Sequence, residues 1–354
     1  MTDTILAVTT GGFAISRDLG RTWQFVRVRR FAWHHFIQMR DIGNGEYLAQ
    51  ATAPGNEESK TAPVDLLVLN ERGDVLAHHP GIGHRWHSCR AVDRAGDTLM
   101  YAEYPSNIAE QGKRPASCRV MRSRDRGRSW HTVFEQGGEQ IRHFHFLQAR
   151  PGHADEWWLT SGDGVQESRI WRATDDGDSW HDLTVGFRRM FTIGGIKFSR
   201  KIFRLTDLAF DGDDVIWATD DRLALAQHEG ACVFRSPAGP SLTPELLGIG
   251  RWHFRSMVDI GEFWLLLSQR SNQPNPALED RMPGVYLLPK VAHRGPASLV
   301  HLFNLDSYPS QSKAGFTFSK ASRAAKDGVF FSFRSSEDVF PAGHKILKWT
   351  VQLD

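Results

Sequence analysis

One short pattern occurs three times in this chain: Asp18-Leu-Gly-Arg-Thr-Trp23, Asp125-Arg-Gly-Arg-Ser-Trp130 and Asp175-Asp-Gly-Asp-Ser-Trp180. Each copy follows a run of strand-forming residues, and its Trp opens the next such run. The chemistry is that of a hairpin clamp. Asp18, Asp125 and Asp175 accept backbone N–H bonds across the turn, while Gly20, Gly127 and Gly177 take positive φ. Trp23, Trp130 and Trp180 supply apolar anchors. Ala173 stands where the other copies have a leading Ser, which weakens one turn bond.

The segment from Ile141 to Thr184 shows what surrounds the pattern. It reads as four short strands, His143–Gln148, Glu156–Thr160, Ser168–Thr174 and Ser179–Leu183, separated by turn chemistry. No gap is long enough for a helical crossover, so neighbouring strands are antiparallel. Four strands in about 45 residues is the size of one propeller blade. First strands of further units begin near 34, 87, 204, 252 and 316, and the N-terminal unit lacks its innermost strand. The expected fold is therefore all-β, a single β-propeller over residues 1–354. It has seven four-stranded antiparallel blades, or six if the terminal strands merge. Length alone would suggest two domains, but repeat architectures override that prior. Residues 187–204, rich in Arg, Lys and Phe, read as an irregular connector and flap.

These turns resemble the Asp-box, or BNR, repeat of the sialidase-like β-propellers. The resemblance covers three hairpins and one well-marked blade. It implies that the Asp-box acids staple turns, remote from any ligand. Arg142-His143-Phe-His145, then Gly162-Asp163 with Glu167-Ser168, then Thr219-Asp220 is similar to a set of bacterial Asp-box proteins labelled glycosidase-like. That implies a site more than a reaction.

Composition bounds the partners. The 43 basic and 41 acidic residues nearly cancel, which argues against binding nucleic acid or a membrane surface through bulk charge. Three widely spaced cysteines without a CxxC point to buried reduced thiols. Without a visible signal peptide or an apolar run of membrane length, a cytoplasmic protein is expected. The oligomeric state is open.

If the Asp turns mark one face of the propeller, first-strand starts and second-strand ends fall on the other. So do the inserts 52–63, 105–115 and 271–283. Ionisable residues concentrate at those places. His143, His145, Asp163, Asp220 and Glu103 are the candidate catalytic groups; Arg204, Arg255, Arg270, His87, His253 and Glu167 are the candidate substrate-binding groups. Charged groups converging on one axis are costly unless paired or solvated, so a functional pocket competes with a mutually satisfied channel lining. The His-x-His pair on one strand suits zinc, but hydrogen-bonded lining is the commoner use, and neither metal nor cofactor is expected.

The letters do not give a true sialidase. There is no Arg-Ile-Pro, and with five Tyr in all, only Tyr101 and Tyr104 lie near Glu103. Four arginines, Arg204, Arg255, Arg270 and Arg334, suit a carboxylate clamp. The expected activity is on an acidic or heavily hydroxylated oligosaccharide or polysaccharide, as a glycoside hydrolase with paired carboxylic acids. A polysaccharide lyase with His or Tyr as base is the alternative, as are glycosyl transfer in glycan assembly and a non-catalytic glycan- or protein-binding propeller.

Overall fold

The computed structural model describes residues 5–18, 21–56, 62–86, 90–105, 115–221, 230–250, 253–268, 284–290, 299–304, 315–318, 329–334 and 344–349. Within them the chain is all β, with no α-helix. It divides into two compact units, Met1–Ser161 with Trp171–His181, and Gly162–Ile170 with Asp182–Asp354.

The first unit opens with three strands, β1 (Ile5–Thr9), β2 (Gly12–Ser16) and β3 (Gln24–Arg27). A four-stranded sheet follows: β4 (His35–Gly43), β5 (Glu46–Thr52), β6 (Val64–Asn70) and β7 (Val75–Gly83). The next comprises β8 (Val92–Ala95), β9 (Thr98–Ala102), β10 (Ser117–Ser123) and β11 (His131–Gly137). After it come β12 (Phe144–Ala149), β13 (Trp157–Ser161), β14 (Arg169–Ala173) and β15 (His181–Asp182).

The second unit begins with a hairpin of β16 (Met190–Ile193) and β17 (Ile196–Ser199). Its first four-stranded sheet holds β18 (Leu208–Asp211), β19 (Asp214–Ala218), β20 (Ala231–Pro237) and β21 (Glu245–Gly250). The next holds β22 (Phe254–Asp259), β23 (Phe263–Ser268), β24 (Gly284–Pro289) and β25 (Val300–Asn304). A three-stranded sheet ends it, β26 (Gly315–Phe318), β27 (Val329–Arg334) and β28 (His344–Trp349).

Every sheet is a meander in which strands lie side by side in chain order. The four-stranded ones are antiparallel blades of a β-propeller, as the turn chemistry dictates. Thr10, after β1, bridges His35 at the start of β4. Glu103, after β9, accepts from Phe144 N at the start of β12 in the same way, at 3.2 Å. Since β9 is the second strand of its blade, β1 holds a second-strand place, and among the described residues no strand fills the innermost position of that sheet.

Three sequence readings need correction. The first strand of the third sheet was expected over 86–92, but β8 begins at Val92. Of the residues before it, Trp86 is in no strand, Arg90 lies in a turn and residues 87–89 are outside the described residues; Arg85 O accepts from Tyr104 N at 2.7 Å and Ala91 O from Ala102 N at 2.8 Å. The outer strands β21 and β25 were not foreseen, because their sequences, Glu-Leu-Leu-Gly-Ile-Gly and Val-His-Leu-Phe-Asn, lack the apolar/polar alternation that marks a strand. Residues 187–204 form a regular hairpin and a 3-10 turn rather than an irregular connector.

Packing within the first unit explains the large apolar content. One core gathers Leu48, Val68, Trp86, Met100, Tyr101, Phe144, Trp157 and Trp171, all buried. In the second unit Ile216, Val233, Phe254, Trp264 and Leu266 play the same part. Outer strands β7, β11, β21 and β25 each carry a bulge against their neighbour, after Leu69, Met121, Phe234 and Tyr286 pairings shift register. Bulges twist an exposed edge away from pairing with another chain.

The Asp turns are built as the chemistry requires. Asp125 accepts from the backbone N–H of Arg128 and Ser129 at 3.0 and 2.8 Å, and from the Ser129 and Ser123 hydroxyls at 2.6 and 2.7 Å. Asp18 accepts from Thr22 N and Oγ1 at 2.8 and 2.6 Å, and Asp175 from Ser179 N at 2.9 Å. Gly127 and Gly177 have φ of 86° and 82°; the residues before them, Arg126 and Asp176, share the left-handed region at 59° and 57°. Gly20 lies outside the described residues. Ala173 costs the third turn two bonds rather than one, because Ser123 Oγ also accepts from Gly127 N at 2.6 Å.

These turns also pin neighbouring sheets together. Arg124 reaches Asp176 and Asp178 at 2.8 and 3.0 Å, and Arg122 reaches Asp178 at 2.7 Å. On the other side Arg126 and Arg128 hold Glu46 at 3.1 and 2.8 Å. Chain positions far apart are thus cross-braced by the loops that carry the Asp turns.

Candidate functional site

A bulge recurs near the start of the first strands. In β4, β12 and β22 the register slips by one residue, leaving Ile37, His145 and Arg255 as the extra residues. The same device therefore re-aims two of the candidate site residues at corresponding places in their sheets. Bulges of this kind are a common way to direct a side chain out of a regular ladder.

In the first unit the bulge brings His145 back toward His143, whose Nε2 lies 3.0 Å from the Nε2 of His145. Both are buried. Tyr104, which follows β9, stacks on His143 with ring centroids 4.0 Å apart. This trio offers a neutral imidazole and a phenol at one place.

Glu103, next to Tyr104, has another fate. Its carboxylate is fully buried and binds Arg119 through two nitrogens, at 2.7 and 3.1 Å. It also accepts from the backbone N–H of His84 and Arg119, both at 3.0 Å. The bonds to Glu103 outweigh burial and raise the Arg119 pKa. Four N–H donors fill this carboxylate, so we read Glu103 as a structural anchor rather than a catalytic acid.

In the second unit the candidates converge on Arg204. Its Nη2 lies 3.0 Å from Asp163 and 3.8 Å from Asp220, and its Nη1 lies 3.0 Å from Asp221. Arg255 contacts Asp220 at 3.3 Å, His253 approaches it at 4.0 Å, and Lys201 binds Asp221 at 2.8 Å. Burial pulls the Arg204 guanidinium down, but Asp220, Asp163 and Asp221 together raise it above its ordinary value. Three acids thus face three cations, Arg204, Arg255 and Lys201, with His253 at the edge of the cluster.

Backbone contacts explain why these residues meet. Asp220 N donates to Arg204 O at 2.7 Å, tying the end of β19 to the chain before β18. Phe254 N donates to Thr219 O at 2.9 Å, which brings β22 and Arg255 alongside. Asp163 sits in a tight loop in which Gly164 O accepts from Glu167 N and Ser168 N. A Cβ on Gly162 would meet the Arg204 side chain at 3.0 Å, so glycine permits that approach. Asp163 itself has φ 155°, a region that side-chain-bearing residues rarely adopt and that costs about 1–3 kcal/mol. Such strain persists only where surrounding bonds over-determine it.

Asp163, Arg204, Asp220, Arg255 and His253 are therefore brought together, as are His143 and His145. Glu167 is buried over Gly164. His87 and Arg270, and most of the three long inserts, lie outside the described residues. Asp221, Lys201 and Tyr104 were not among the candidates. The signal for Lys201 was the basic run 188–204 itself.

No protein-family model matches the chain, and no curated protein matches it. Solved structures do. A xyloglucanase of glycoside hydrolase family 74 from Xanthomonas campestris superposes with a TM-score of 0.56 at 12% identity, over 99% of this chain and 52% of that one. The chain thus spans about half the length of that enzyme. YCF48 bound to a D1 peptide gives 0.54 at 13% identity, covering 99% of this chain and 93% of its own. The WD40 propeller domain of Doa1 gives 0.53 at 10%, covering 97% and 88%. At these identities the likeness shows the propeller fold.

Proposed function

We propose that this chain is a carbohydrate-active β-propeller of the Asp-box type that acts on an acidic or heavily hydroxylated glycan. The observation carrying the reading is the Arg204 cluster: buried Asp220 and Asp221 facing the half-buried Arg204 and Arg255, with Asp163 held against Arg204 on a strained backbone. Polar groups so dense suit a ligand made of hydroxyls and carboxylates: acids accept from sugar hydroxyls, and arginine forks bind carboxylates. Asp163 and Asp220 lie 3.0 and 3.8 Å from one nitrogen, so their oxygens are at most the sum of these, 6.8 Å, apart. Paired glycosidase carboxylates stand about 5–9.5 Å apart. Asp163, at 24% side-chain exposure, is the proton donor in this reading; Asp220, at 3%, is the base or nucleophile.

A second reading rests on His143, His145 and Tyr104. An imidazole and a phenol at one place suit abstraction of the proton beside a uronate carboxylate, the chemistry of a polysaccharide lyase. The test is turnover of a panel of neutral and uronate oligosaccharides, scored both for new reducing ends and for the ~235 nm absorbance of the double bond that proton abstraction leaves. Reducing ends without absorbance, abolished in Asp163→Asn, support hydrolysis; absorbance abolished in His145→Ala supports the lyase. Neither binding nor turnover of any glycan would overturn both.

A further inference from the structure

From Phe187 to Arg204 the chain carries six cations, Arg188, Arg189, Lys197, Arg200, Lys201 and Arg204, and no acid; none occurs between Asp182 and Asp207. These residues form the β16–β17 hairpin and the 3-10 turn Arg200–Phe203. On the Asp turns, by contrast, exposed arginines are matched: Arg124 with Asp176 and Asp178, Arg128 with Glu46. Among the described residues, no carboxylate lies within ion-pair distance of Arg188, Arg189 or Lys197, and all three are exposed. A charged face left uncompensated is where an anion is to be received.

The hairpin is held rigidly. Phe187, Phe191 and Phe203 pack together, with Phe187 centroids 5.0 and 4.8 Å from the other two. Arg200 is buried at 8% exposure; it donates to Phe187 O at 2.9 Å and to the Thr184 hydroxyl at 2.7 Å, both neutral acceptors. Its positive charge therefore adds to the field of the hairpin rather than being cancelled within it. Burial lowers the Arg200 pKa from its ordinary value, with the charge of Asp182 offsetting part of that effect.

The exposed cations lead toward the Arg204 cluster. Arg200 N donates to Arg189 O at 2.9 Å, joining the two arms at the base of the hairpin. Lys201 and Arg204 then share Asp221, at 2.8 and 3.0 Å. We infer that the hairpin is a docking arm for a polyanionic glycan, one bearing a carboxylate on successive sugars, whose chain runs from Arg188, Arg189 and Lys197 to Arg204. This rests on the glycan reading above and narrows it: a neutral polysaccharide gives three unpaired exposed cations nothing to do.

The test compares short oligogalacturonate with its methyl ester, which keeps the hydroxyls and removes the charge, by calorimetry at two salt concentrations. The variant is Arg188→Ala/Arg189→Ala/Lys197→Ala, which leaves the buried Arg200 in place so that the hairpin keeps its brace. The acid form should bind more tightly than the ester and weaken as salt is added. The triple variant should bind the acid form about threefold to a hundredfold more weakly, the range that three exposed ion pairs give, with a shallower salt dependence and unchanged ester binding. Equal binding of acid and ester, unmoved by the variant, overturns the docking arm and leaves the glycan reading standing. No binding of either, or of neutral oligosaccharides, overturns both. Binding of anionic vesicles that the variant abolishes, without oligogalacturonate binding, overturns the inference in favour of a membrane surface.

Discussion

Arg204 Nη2 lies 3.0 Å from the carboxylate of Asp163, and Asp163 bears that carboxylate on a backbone with φ 155°. The ion pair and the strain belong to one residue, which separates stability from function. Asp163→Ala keeps the strain and loses the pair; Asp163→Gly loses the pair and relieves the strain. The glycine variant should be more stable than the alanine variant by about 1–3 kcal/mol, the cost of such a conformation for a residue with a Cβ. Both should lose glycan turnover by about two orders of magnitude. Equal denaturant midpoints for the two variants would show that Asp163 is not strained.

The Asp turns give the acid limit of stability. Burial pushes the Asp125 carboxyl up, but the Ser129 hydroxyl and N–H, the Ser123 hydroxyl and Arg128 N–H hold it at about 2. Asp18, held by the Thr22 hydroxyl and N–H, is also at about 2. In the unfolded chain such groups titrate near ~3.9. A depressed folded pKa contributes stability above the unfolded value, and that contribution is lost as pH falls from about 4 to about 2. Both groups are partly or largely exposed, so the effect is a modest one after solvent screening. Asp125→Ala should cost about 1–2 kcal/mol at pH 7, flatten the denaturant midpoint between pH 4 and 2, and leave glycan binding intact. Loss of binding in a folded Asp125→Ala protein would place the turn at the site.

Ala173→Ser tests the same turns by gain. Ser123, fully buried like Ala173, accepts from Gly127 N and donates to Asp125. A serine at 173 should regain the equivalent bonds to Gly177 N and Asp175, stabilising by about 0.5–1.5 kcal/mol. The reverse change, Ser123→Ala, should cost a similar amount. Thermal melts of both decide it.

Much of this fold was legible because turn chemistry is local. Asp125, Gly127 and Trp130 act within a few residues of each other. The outer strands β21 and β25 were not legible, since their letters do not alternate apolar with polar. Asp163, Arg204, Asp220, Arg255 and His253, picked from the sequence as strand-end residues, lie close together. What no sequence pattern carried was the partner of each. Glu103 looked like an acid beside a tyrosine until Arg119, 16 residues on, proved to fill both its oxygens. The bulges that re-aim His145 and Arg255 are tertiary events, set by what β13 and β23 offer opposite them.

Glu103→Gln should behave as a stability variant. The amide would turn a donor toward Arg119 or a backbone N–H, leaving a guanidinium without its fork in a buried place. The expected cost is about 3 kcal/mol, the low end for breaking a buried pair, because Arg119 keeps some solvent contact. Binding and turnover per folded molecule should be unchanged. A folded Glu103→Gln protein without activity would restore Glu103 to the catalytic groups.

Arg204→Lys probes whether the cluster needs a charge or a shape. Arg204 spends Nη1 on Asp221 and Nη2 on Asp163, with Asp220 at 3.8 Å from the latter. A lysine ammonium is a single point with three donors and cannot hold three carboxylates at these separated positions. Lys201 and Arg255 still neutralise Asp221 and Asp220, so Arg204→Lys should fold with a loss of about 1–3 kcal/mol, the scale of charge-assisted bonds given up. Asp163 is the acid left without its cation, because Arg204 is the partner that its strained loop presents it to. Turnover should therefore fall about as far in Arg204→Lys as in Asp163→Ala, and the double variant should fall no further, since the two residues act as a unit. Additive losses in that double-variant cycle would show that Arg204 and Asp163 serve the glycan independently.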